Sequence, residues 1–299
     1  HPHRVRADKQ SPNSYLVAAA SWYLINNPIT QDFLSGVESE TEGNLENVVY
    51  YSDNKETTFL TKPLNDFNDP DGEIALCTLS AVNWGNIRKP SDFIRIGKLA
   101  VRGLDALLSY QNYPVIAAEM ATMGRRPLGV GIINLAYWMA RNNMTYSEPN
   151  LEMIDEYAEA WSYSLIKASA DLAQEQGACL WNDQTKYSDG ILPIDTYKKD
   201  VDELVAHKER MPWKELRVQL AKTGIRNSTL MALMPAETSA QISNATNGIE
   251  PPRSFVSVKQ SKHGVLKQVV PGIHKLKSKY DLLWDQRSPE GYIKIVSKL

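Results

Sequence analysis

Apolar residues recur at helical spacing through the middle of the chain, and this pattern predicts three helices. The first follows Ser91, a residue type that caps the amino ends of helices, and the second covers residues 128–141. The third covers residues 152–176 and ends before Gly177. The second segment is apolar almost all round, so we expect a buried helix there. The broad apolar face of the first helix consists of Phe93, Ile96, Leu99, Leu104, Leu107 and Leu108.

Short apolar runs beside turn residues predict strands before and after the helical region. These runs cover residues 73–79, 228–234, 254–259 and 265–270. Residues 260–264 separate the last two runs and contain a glycine, which is typical of a β-hairpin. Helical patterns return over residues 274–284 and 290–299. A few strands between long helices indicate the α/β class of fold.

The composition excludes several classes of protein. Of the 299 residues, 42% are hydrophobic and 23% are charged, which argues against disorder and against a collagen-like repeat. Lysine and arginine number 33 against 35 acidic residues, so the net charge of −2 gives no support for binding to nucleic acid or to an anionic membrane. No run approaches the ~18–20 apolar residues that span a bilayer. Two cysteines are too few for a disulfide scaffold and favour the reducing cytoplasm.

Five residues that follow the predicted strand at 228–234 are candidates for binding a phosphate. They are Pro235, Ala236, Glu237, Thr238 and Ser239. A strand that ends where a helix starts presents unpaired backbone N–H groups, and two of these side chains add hydroxyl donors. An ordinary helix-capping motif explains the same residues, and Glu237 is an unfavourable neighbour for a phosphate unless it caps backbone amides. The polar residues 243–253 indicate either a structured loop at a site or a plain surface loop.

Each cysteine has a structural and a functional interpretation. Cys77 lies in an apolar run, where a small core residue is the usual interpretation and a redox thiol with a partner cysteine is the alternative. Cys179 follows the helix stop at Gly177 and is most simply structural. No spacing of cysteine and histidine predicts a metal site. No dinucleotide-binding glycine pattern surrounds Arg125 and Arg126, so we expect both at a helix entry or in salt bridges.

Several blocks of sequence occur together, and their combination is more specific than any single block. The blocks are TKPL at 61–64, GEIALCTLS at 72–80, MGRRPLG at 123–129, GILPIDTY at 190–197, RNSTL at 226–230 and the run at 235–253. Together they closely resemble the large, catalytic subunit of class I (aerobic) ribonucleotide reductase, especially its bacterial and tailed-phage forms. The resemblance extends from about Glu56 to Leu299.

The resemblance implies a ten-stranded α/β barrel with the active site inside it. Residues 51–299 would be the C-terminal part of that barrel domain, truncated at its own C-terminus, and residues 1–50 do not resemble the family. An incomplete barrel would expose unpaired strand edges unless a partner covers them.

The resemblance also implies an oxidoreductase that converts ribonucleoside diphosphates to their deoxy forms for DNA precursor synthesis. In that chemistry a thiyl radical removes the 3′ hydrogen, while a carboxylate and a dithiol assist the loss of the 2′ hydroxyl group. The dithiol becomes a disulfide, which thioredoxin or glutaredoxin must reduce again. The complete enzyme responds to ATP and dNTP effectors, and no cofactor or metal is expected on this chain itself.

Individual residues carry over from the family to this chain. Cys77 matches one of the two reducing cysteines, and residues 235–239 match the loop that holds the substrate phosphates. The resemblance thereby makes phosphate binding the favoured interpretation of these five residues. Ala236 stands where that loop commonly has serine, so one hydroxyl donor is missing.

The chain departs from the family at the radical site. The family's Asn-x-Cys-x-Glu motif would fall on Ser52, Asn54 and Glu56, so Glu56 alone matches. Asn54 cannot replace the radical cysteine, because an amide has no S–H group from which a thiyl radical could form. Glu56 is therefore the candidate catalytic carboxylate of a chain without its radical thiol.

Three hypotheses accommodate this departure. The leading one is an enzyme that works only with a separately made N-terminal piece of the large subunit and with the radical-generating small (beta) subunit. The second is a truncated or interrupted gene, with residues 1–50 derived from an insertion or a frame change; a start at His1 without an apolar signal core fits a processed chain or a fragment. The third is a non-catalytic protein that retains only a nucleotide-diphosphate-binding loop, although half a barrel is a poorly preorganised site.

Overall fold

The computed structural model describes residues 47–52, 55–60, 73–76, 78–261 and 264–299. Its strands are β1 (Asn47–Ser52), β2 (Lys55–Leu60), β3 (Thr78–Asn83), β4 (Leu128–Ile133), β5 (Val256–Ser261) and β6 (Gly264–Val269). Its helices are α1 (Asp92–Tyr110), α2 (Ile116–Arg125), α3 (Leu135–Arg141), α4 (Leu151–Gln176), α5 (Pro193–Thr196), α6 (Trp213–Thr223), α7 (Glu237–Ile242), α8 (Ile273–Leu276) and α9 (Glu290–Lys298). Within these residues, no helix has both the length and the apolar character needed to cross a lipid bilayer.

The chain divides into two compact units. The first comprises His1–Leu76 with Tyr110–Gly124, and the second comprises Cys77–Ser109 with Arg125–Leu299. In the first unit, β1 and β2 form an antiparallel hairpin whose register places Tyr51 opposite Glu56. In the same unit, the N–H of Ile74 donates to the carbonyl of Ala117 in α2 at 3.1 Å.

Three parallel segments lie side by side in the second unit. β3 pairs with β4 in a register that runs from Thr78 opposite Leu128 to Asn83 opposite Ile133. Residues 228–232 run along the other side of β4. The N–H of Val130 donates to the carbonyl of Leu230 at 2.8 Å, and the N–H of Ala232 donates to the carbonyl of Val130 at 3.2 Å. This segment contributes a single parallel bridge rather than the continuous strand expected at 228–234.

The α/β class is confirmed, whereas a closed barrel is not present among the described residues. They contain three two-stranded sheets, with the strand orders β1-β2, β3-β4 and β5-β6. Within the described part of the chain β3 has a strand neighbour on one edge only, and Leu79 on this strand is 45% exposed. The ten strands implied by the resemblance therefore need residues beyond those described here.

The buried helix predicted over residues 128–141 is wrong in its first half. Residues 128–133 form β4 and all six are buried; the chain then turns at Asn134, whose φ is 67°, and α3 follows. A strand that is buried on both faces has no alternation of apolar and polar residues, so its pattern cannot be distinguished from that of a buried helix. The β-branched residues within it were the available signal for a strand.

The other two predicted helices are confirmed as α1 and α4. Helix α1 follows Ser91, and α4 ends at Gly177, whose φ of 87° favours glycine. The apolar face of α1 is narrower than expected, because Leu99 and Leu107 are 58% and 50% exposed. The residues of that face that are buried are Phe93, Leu104 and Leu108.

The predicted elements near the ends of the described region have mixed outcomes. The strand expected at 73–79 starts only at Thr78, since residues 73–76 have no regular structure. The hairpin is confirmed as β5 and β6, with Val256 opposite Val269. The pattern at 290–299 is confirmed as α9, whereas 274–284 contains only α8 and short 3-10 turns.

A cluster of aromatic rings joins β3 to the helices that cover it. Trp84 follows β3 and is fully buried, and its ring centroid lies 5.4 Å from that of Trp138 in α3 and 5.3 Å from that of Phe93 in α1. Both pairs have edge-to-face geometry, which aromatic rings prefer. Tyr157 of α4 also packs on Trp138, at 4.8 Å. The helices are thereby fixed against the sheet from which the candidate site projects.

A buried carboxylate holds the beginnings of β4 and of the 228–232 segment together. Asp105 in α1 accepts hydrogen bonds from Arg126 Nε at 2.6 Å and from Asn227 Nδ2 at 3.0 Å. Asn227 Nδ2 also donates to the carbonyl of Arg126, and Asn227 Oδ1 accepts a hydrogen bond from Ser169 Oγ in α4. Arg226 Nε lies 3.3 Å from the same carboxylate. The salt bridge expected for Arg126 is thus confirmed, and it sets the alignment of the two segments.

Replacement of Asp105 by alanine removes the carboxylate shared by Arg126 and Arg226. We expect D105A to lower the free energy of unfolding by about 3–5 kcal/mol, as in other proteins where one partner of a buried ion pair is lost. The matched control is E175A, which removes the exposed partner of Arg102 and should cost less than about 1 kcal/mol. Urea unfolding followed by tryptophan fluorescence measures both, and equal losses would contradict the role given to Asp105.

Candidate functional site

The carboxyl ends of the parallel segments lie at one edge of the small sheet. β3 ends at Asn83, β4 ends at Ile133, and the segment 228–232 leads directly into residues 235–239. In open parallel sheets, ligands bind beyond the carboxyl ends of the strands. The 235–239 turn, as we call these five residues, therefore lies at the edge where a binding site is expected.

The backbone of the 235–239 turn offers hydrogen-bond donors without acceptors. Ala236 occupies the N-cap position of α7, and its methyl group cannot accept a hydrogen bond from the first turn of the helix. Among the described residues, the N–H groups of Glu237, Thr238 and Ser239 consequently have no acceptor. The next N–H, that of Ala240, donates to the Ala236 carbonyl at 2.8 Å. Three adjacent free N–H groups suit an anion.

The side chains of the turn add two hydroxyl groups and one ion pair. Thr238 and Ser239 are exposed, and neither hydroxyl group has a hydrogen-bond partner in the part of the chain that the structure describes. Glu237 does not cap the backbone amides, which was the alternative left open by the sequence. Its carboxylate instead lies 3.6 Å from Lys259 Nζ on β5. The turn therefore presents donors to solvent, while its one acidic side chain contacts a lysine.

Small residues allow the turn to lie close to the sheet. Ala236, Ala240 and Ala245 are buried and pack on Ile133 at the end of β4. On the same strand, a Cβ added to Gly131 would lie 2.2 Å from Met234 Sδ and 2.6 Å from the Ala232 carbonyl oxygen. The sequence from 232 to 236 thus crosses the end of β4 at a distance that only glycine permits there.

The loop at residues 243–253, which follows α7, is held by hydrogen bonds from other segments, while its place at a functional site stays a prediction. Gln268 Nε2 on β6 donates to the carbonyl of Ala245 at 2.7 Å. Tyr146 Oη donates to the carbonyl of Ile249 at 2.7 Å, and burial raises the pKa of this tyrosine well above its usual value, so it stays a neutral donor. Gln268 and Tyr146 therefore hold the loop from two sides. Because the loop follows α7 directly, these contacts also restrict the position of the 235–239 turn.

Asn134, which the sequence pattern did not indicate as a site residue, lies at the carboxyl edge of the sheet between β3 and the loop after α7. It is 3% exposed, and its side chain contacts both Asn83 at the end of β3 and Thr246 in the loop after α7. The available signal was an asparagine directly after a buried apolar run, because asparagine tolerates the left-handed conformation better than other side chains. The prediction of a helix over residues 128–141 placed Asn134 inside that helix, so this signal was not used.

The two proposed catalytic residues are not brought together with the turn by the described residues. Cys77 lies outside them; the next residue, Thr78, pairs with Leu128 at the amino end of β4. By the usual rise per residue, Thr78 is about 17 Å along β3 from Asn83, at the edge where the turn lies. Glu56 is on β2 in the first unit. The proximity of Cys77 to the turn remains a prediction.

Cys179 has the structural role expected for it. It is 4% exposed, its N–H donates to the carbonyl of Ile225 at 3.0 Å, and it is part of the main hydrophobic core. Burial raises the pKa of its thiol, which keeps the sulfur protonated and unreactive at neutral pH. Nearby, Arg125 is the last residue of α2 and therefore lies at a helix end rather than at the helix entry expected for it; its guanidinium lies over the ring of Trp181, 4.9 Å from the ring centroid.

Comparison with known proteins supplies the family. The family model of the ribonucleotide reductase barrel domain matches residues 44–292. The chain belongs to this family. Subunit alpha of the ribonucleoside-diphosphate reductase of Haemophilus influenzae is 54% identical over 237 residues, which are 79% of this chain and 31% of that protein. The corresponding subunit of Enterobacteria phage T4 is 48% identical over 224 residues, 74% of this chain and 29% of that protein.

The match covers only part of the length of these relatives. A third similar protein, ribonucleoside-diphosphate reductase 1 subunit alpha of Escherichia coli, is 53% identical over 190 residues, 63% of this chain and 25% of that protein. The chain thus spans about a quarter to a third of the length of the curated relatives it matches. The family membership agrees with the resemblance carried by the sequence blocks.

The raised pKa of Cys179 gives a test of its structural role. In a C77A background, we expect native Cys179 to react with iodoacetamide at least ~10-fold more slowly than the same thiol in urea, because both burial and protonation suppress the thiolate. Mass spectrometry of samples quenched over time measures the two rates at pH 8. Equal rates in the native and unfolded protein would contradict a buried, protonated thiol.

Proposed function

We propose that this chain is part of a class I ribonucleoside-diphosphate reductase large subunit, in which the 235–239 turn binds the diphosphate of the substrate. The observation that carries the proposal is the turn itself, with three backbone N–H groups and two exposed hydroxyl groups that lack partners among the described residues. Family membership and the names of the relatives support the choice of a ribonucleoside diphosphate as the ligand.

The charges near the turn are compatible with an anionic ligand. Glu237 would repel a phosphate if it were alone, but Lys259 Nζ lies 3.6 Å from its carboxylate. Both side chains are substantially exposed, so this pair is weak and can rearrange at little cost. We propose that Lys259 turns toward the diphosphate when it binds. The backbone donors then supply the geometry and the lysine supplies attraction at longer range.

The proposed reaction is a two-electron reduction at the 2′ carbon of the ribose. A thiyl radical removes the 3′ hydrogen atom and returns it at the end of the cycle. The 2′ hydroxyl group takes a proton and leaves as water, with assistance from the carboxylate of Glu56. Two thiols, one of them that of Cys77, supply the two electrons and two protons and become a disulfide, which thioredoxin or glutaredoxin reduces in the next step.

In our proposal, other polypeptides supply the radical thiol, the remaining barrel strands and the radical itself. The radical thiol, for which this chain has Asn54, comes from a separate N-terminal piece of the large subunit that also completes the ten-stranded barrel. The unpaired edge of β3 is a suitable docking edge for its strands. The small beta subunit generates the radical, and ATP and dNTPs act as effectors on the assembled enzyme. Residues 51–299 form the barrel part in this proposal, the family match begins slightly earlier, at residue 44, and the residues before that match form a segment outside the barrel. The cytoplasm supplies the reducing environment.

Complementation tests the proposed enzyme directly. The chain alone should show no turnover, and addition of an N-terminal large-subunit piece bearing the radical cysteine, the beta subunit and a reductant should restore formation of deoxyribonucleoside diphosphate. In the mixture, C77S should abolish turnover, because the dithiol is lost, whereas the matched control C179A should stay within about twofold of the unchanged chain. No turnover and no co-purification of the two pieces would contradict the proposal, as would equal activity of the two cysteine variants.

Removal of both hydroxyl groups tests the turn. We expect T238A/S239A to weaken binding of ADP at least ~10-fold, because hydrogen bonds to a charged group are lost. The matched control is S243A, an exposed serine at the other end of α7, which should bind ADP as the unchanged chain does. Equilibrium dialysis with the full chain, alone and in the complemented mixture, measures the affinities. Binding by the lone chain without restored turnover would favour the non-catalytic alternative instead.

A further inference from the structure

Asn134 is a buried polar residue for which the proposed chemistry has no role. Its backbone has φ 67°, a left-handed conformation that residues other than glycine rarely adopt. Such a conformation persists only where the surrounding structure holds it, and it is often found where function requires it. The contacts of Asn134 show what holds it.

A single side chain joins three segments at the carboxyl edge of the sheet. Asn134 Oδ1 accepts hydrogen bonds from the N–H of Thr246 at 2.9 Å and from its Oγ1 at 3.3 Å. Asn134 Nδ2 donates to Asn83 Oδ1 at 2.9 Å, and the N–H of Asn134 donates to the carbonyl of Thr246, also at 2.9 Å. The ends of β3 and β4 are thus linked to the loop that follows α7.

This link reaches the 235–239 turn through a short series of contacts. The N–H of Ala245, the residue before Thr246, donates to the carbonyl of Ala240 at 2.8 Å, and the N–H of Ala240 donates to the carbonyl of Ala236 at the same distance. These alanines pack on Ile133, the residue before Asn134. The turn and its tether therefore share both a hydrogen-bonded path and a packed surface.

We propose that Asn134 is a positioning residue that fixes the 235–239 turn against the ends of β3 and β4 and thereby sets the affinity for the substrate diphosphate. The inference rests on the proposed function, because it names the residue that sets the affinity of that same site for the diphosphate. Asn134 does not contact the diphosphate in this arrangement. It acts through Thr246 and through the alanines between that residue and the turn.

The side chain of asparagine has the chemistry that this position needs. Asn134 provides an acceptor for Thr246 and a donor for Asn83 on one planar amide. Glycine would adopt the same backbone conformation without strain, but it would remove both hydrogen bonds. Replacement by glycine therefore removes the side-chain hydrogen bonds and leaves the backbone conformation in place.

The test compares N134G with the matched control N143G. Asn143 also has a positive φ, 57°, but it is exposed and lies beyond the carboxyl end of α3, away from the turn. Both substitutions place glycine at a position where asparagine has a positive φ, which removes backbone strain, so both variants should fold. Loss of the side-chain tether occurs only in N134G.

Hydrogen exchange of the full chain measures positioning without any ligand. We expect the hydrogen-bonded amides of Thr246, Ala245 and Ala240 to exchange at least ~10-fold faster in N134G, because a buried acceptor is lost, while residues 229–232 change less than about twofold. The N143G variant should match the unchanged chain throughout. Unaltered exchange of Thr246, Ala245 and Ala240 in N134G would overturn the inference, as would a uniform increase over the whole chain.

Kinetics of the complemented reductase measure the effect on the substrate. We expect N134G to raise KM for ADP about 10-fold with kcat within about twofold, because ground-state binding of the diphosphate is weakened. An unchanged KM, or a lower kcat at unchanged KM, would overturn the role in affinity. If the mixture with the unchanged chain shows no turnover, the proposed function fails, and hydrogen exchange still decides whether Asn134 positions the turn.

Discussion

The alignment of β4 with the segment 228–232 is the constraint on which the candidate site depends. A buried carboxylate, that of Asp105, joins the two at their beginnings through Arg126 and Asn227. The amide of Asn134 joins the end of β4 to the loop beyond the turn. A shift of one residue along the strands would break both buried polar clusters and leave their groups without partners, which is costly. The position of the 235–239 turn thus follows from polar groups at both ends of one short strand.

Periodicity predicted the elements that have one apolar face and one polar face. Helix α1 belongs to this type and was predicted correctly. Helix α4 is buried on most sides and was predicted from the spacing of its apolar residues and its glycine stop, and the β5–β6 hairpin was predicted from its turn. Strand β4 lies between β3 and the 228–232 segment and is buried on both faces, so it carries no alternation that a pattern can detect. The mistaken helix in turn concealed Asn134, whose importance comes from long-range contacts that sequence spacing does not contain.

The candidate site was predictable in part, and the limit has a physical cause. Residue types at 235–239 allowed either a capped helix or a phosphate site, and the sequence blocks shared with the family favoured the second. The structure adds that Ala236 is at the N-cap, where its side chain supplies no acceptor, so the first three amides of α7 have no acceptor among the described residues. The roles of Cys77 and Glu56 rest on family resemblance. The reactivity of a thiol or a carboxylate depends on the groups around it in space, and spacing along the chain does not show which groups these are.

The free N–H groups of the 235–239 turn have a consequence for selectivity. Main-chain amides recognise negative charge and the spacing of oxygen atoms, and nothing in them distinguishes a purine from a pyrimidine. Ligands gripped in this way are sorted by their phosphate groups, while the nucleobase is left to be read by other surfaces. In the proposed function, one turn of this design would bind a whole set of nucleotides equally well, and residues outside the turn would have to impose any preference among them.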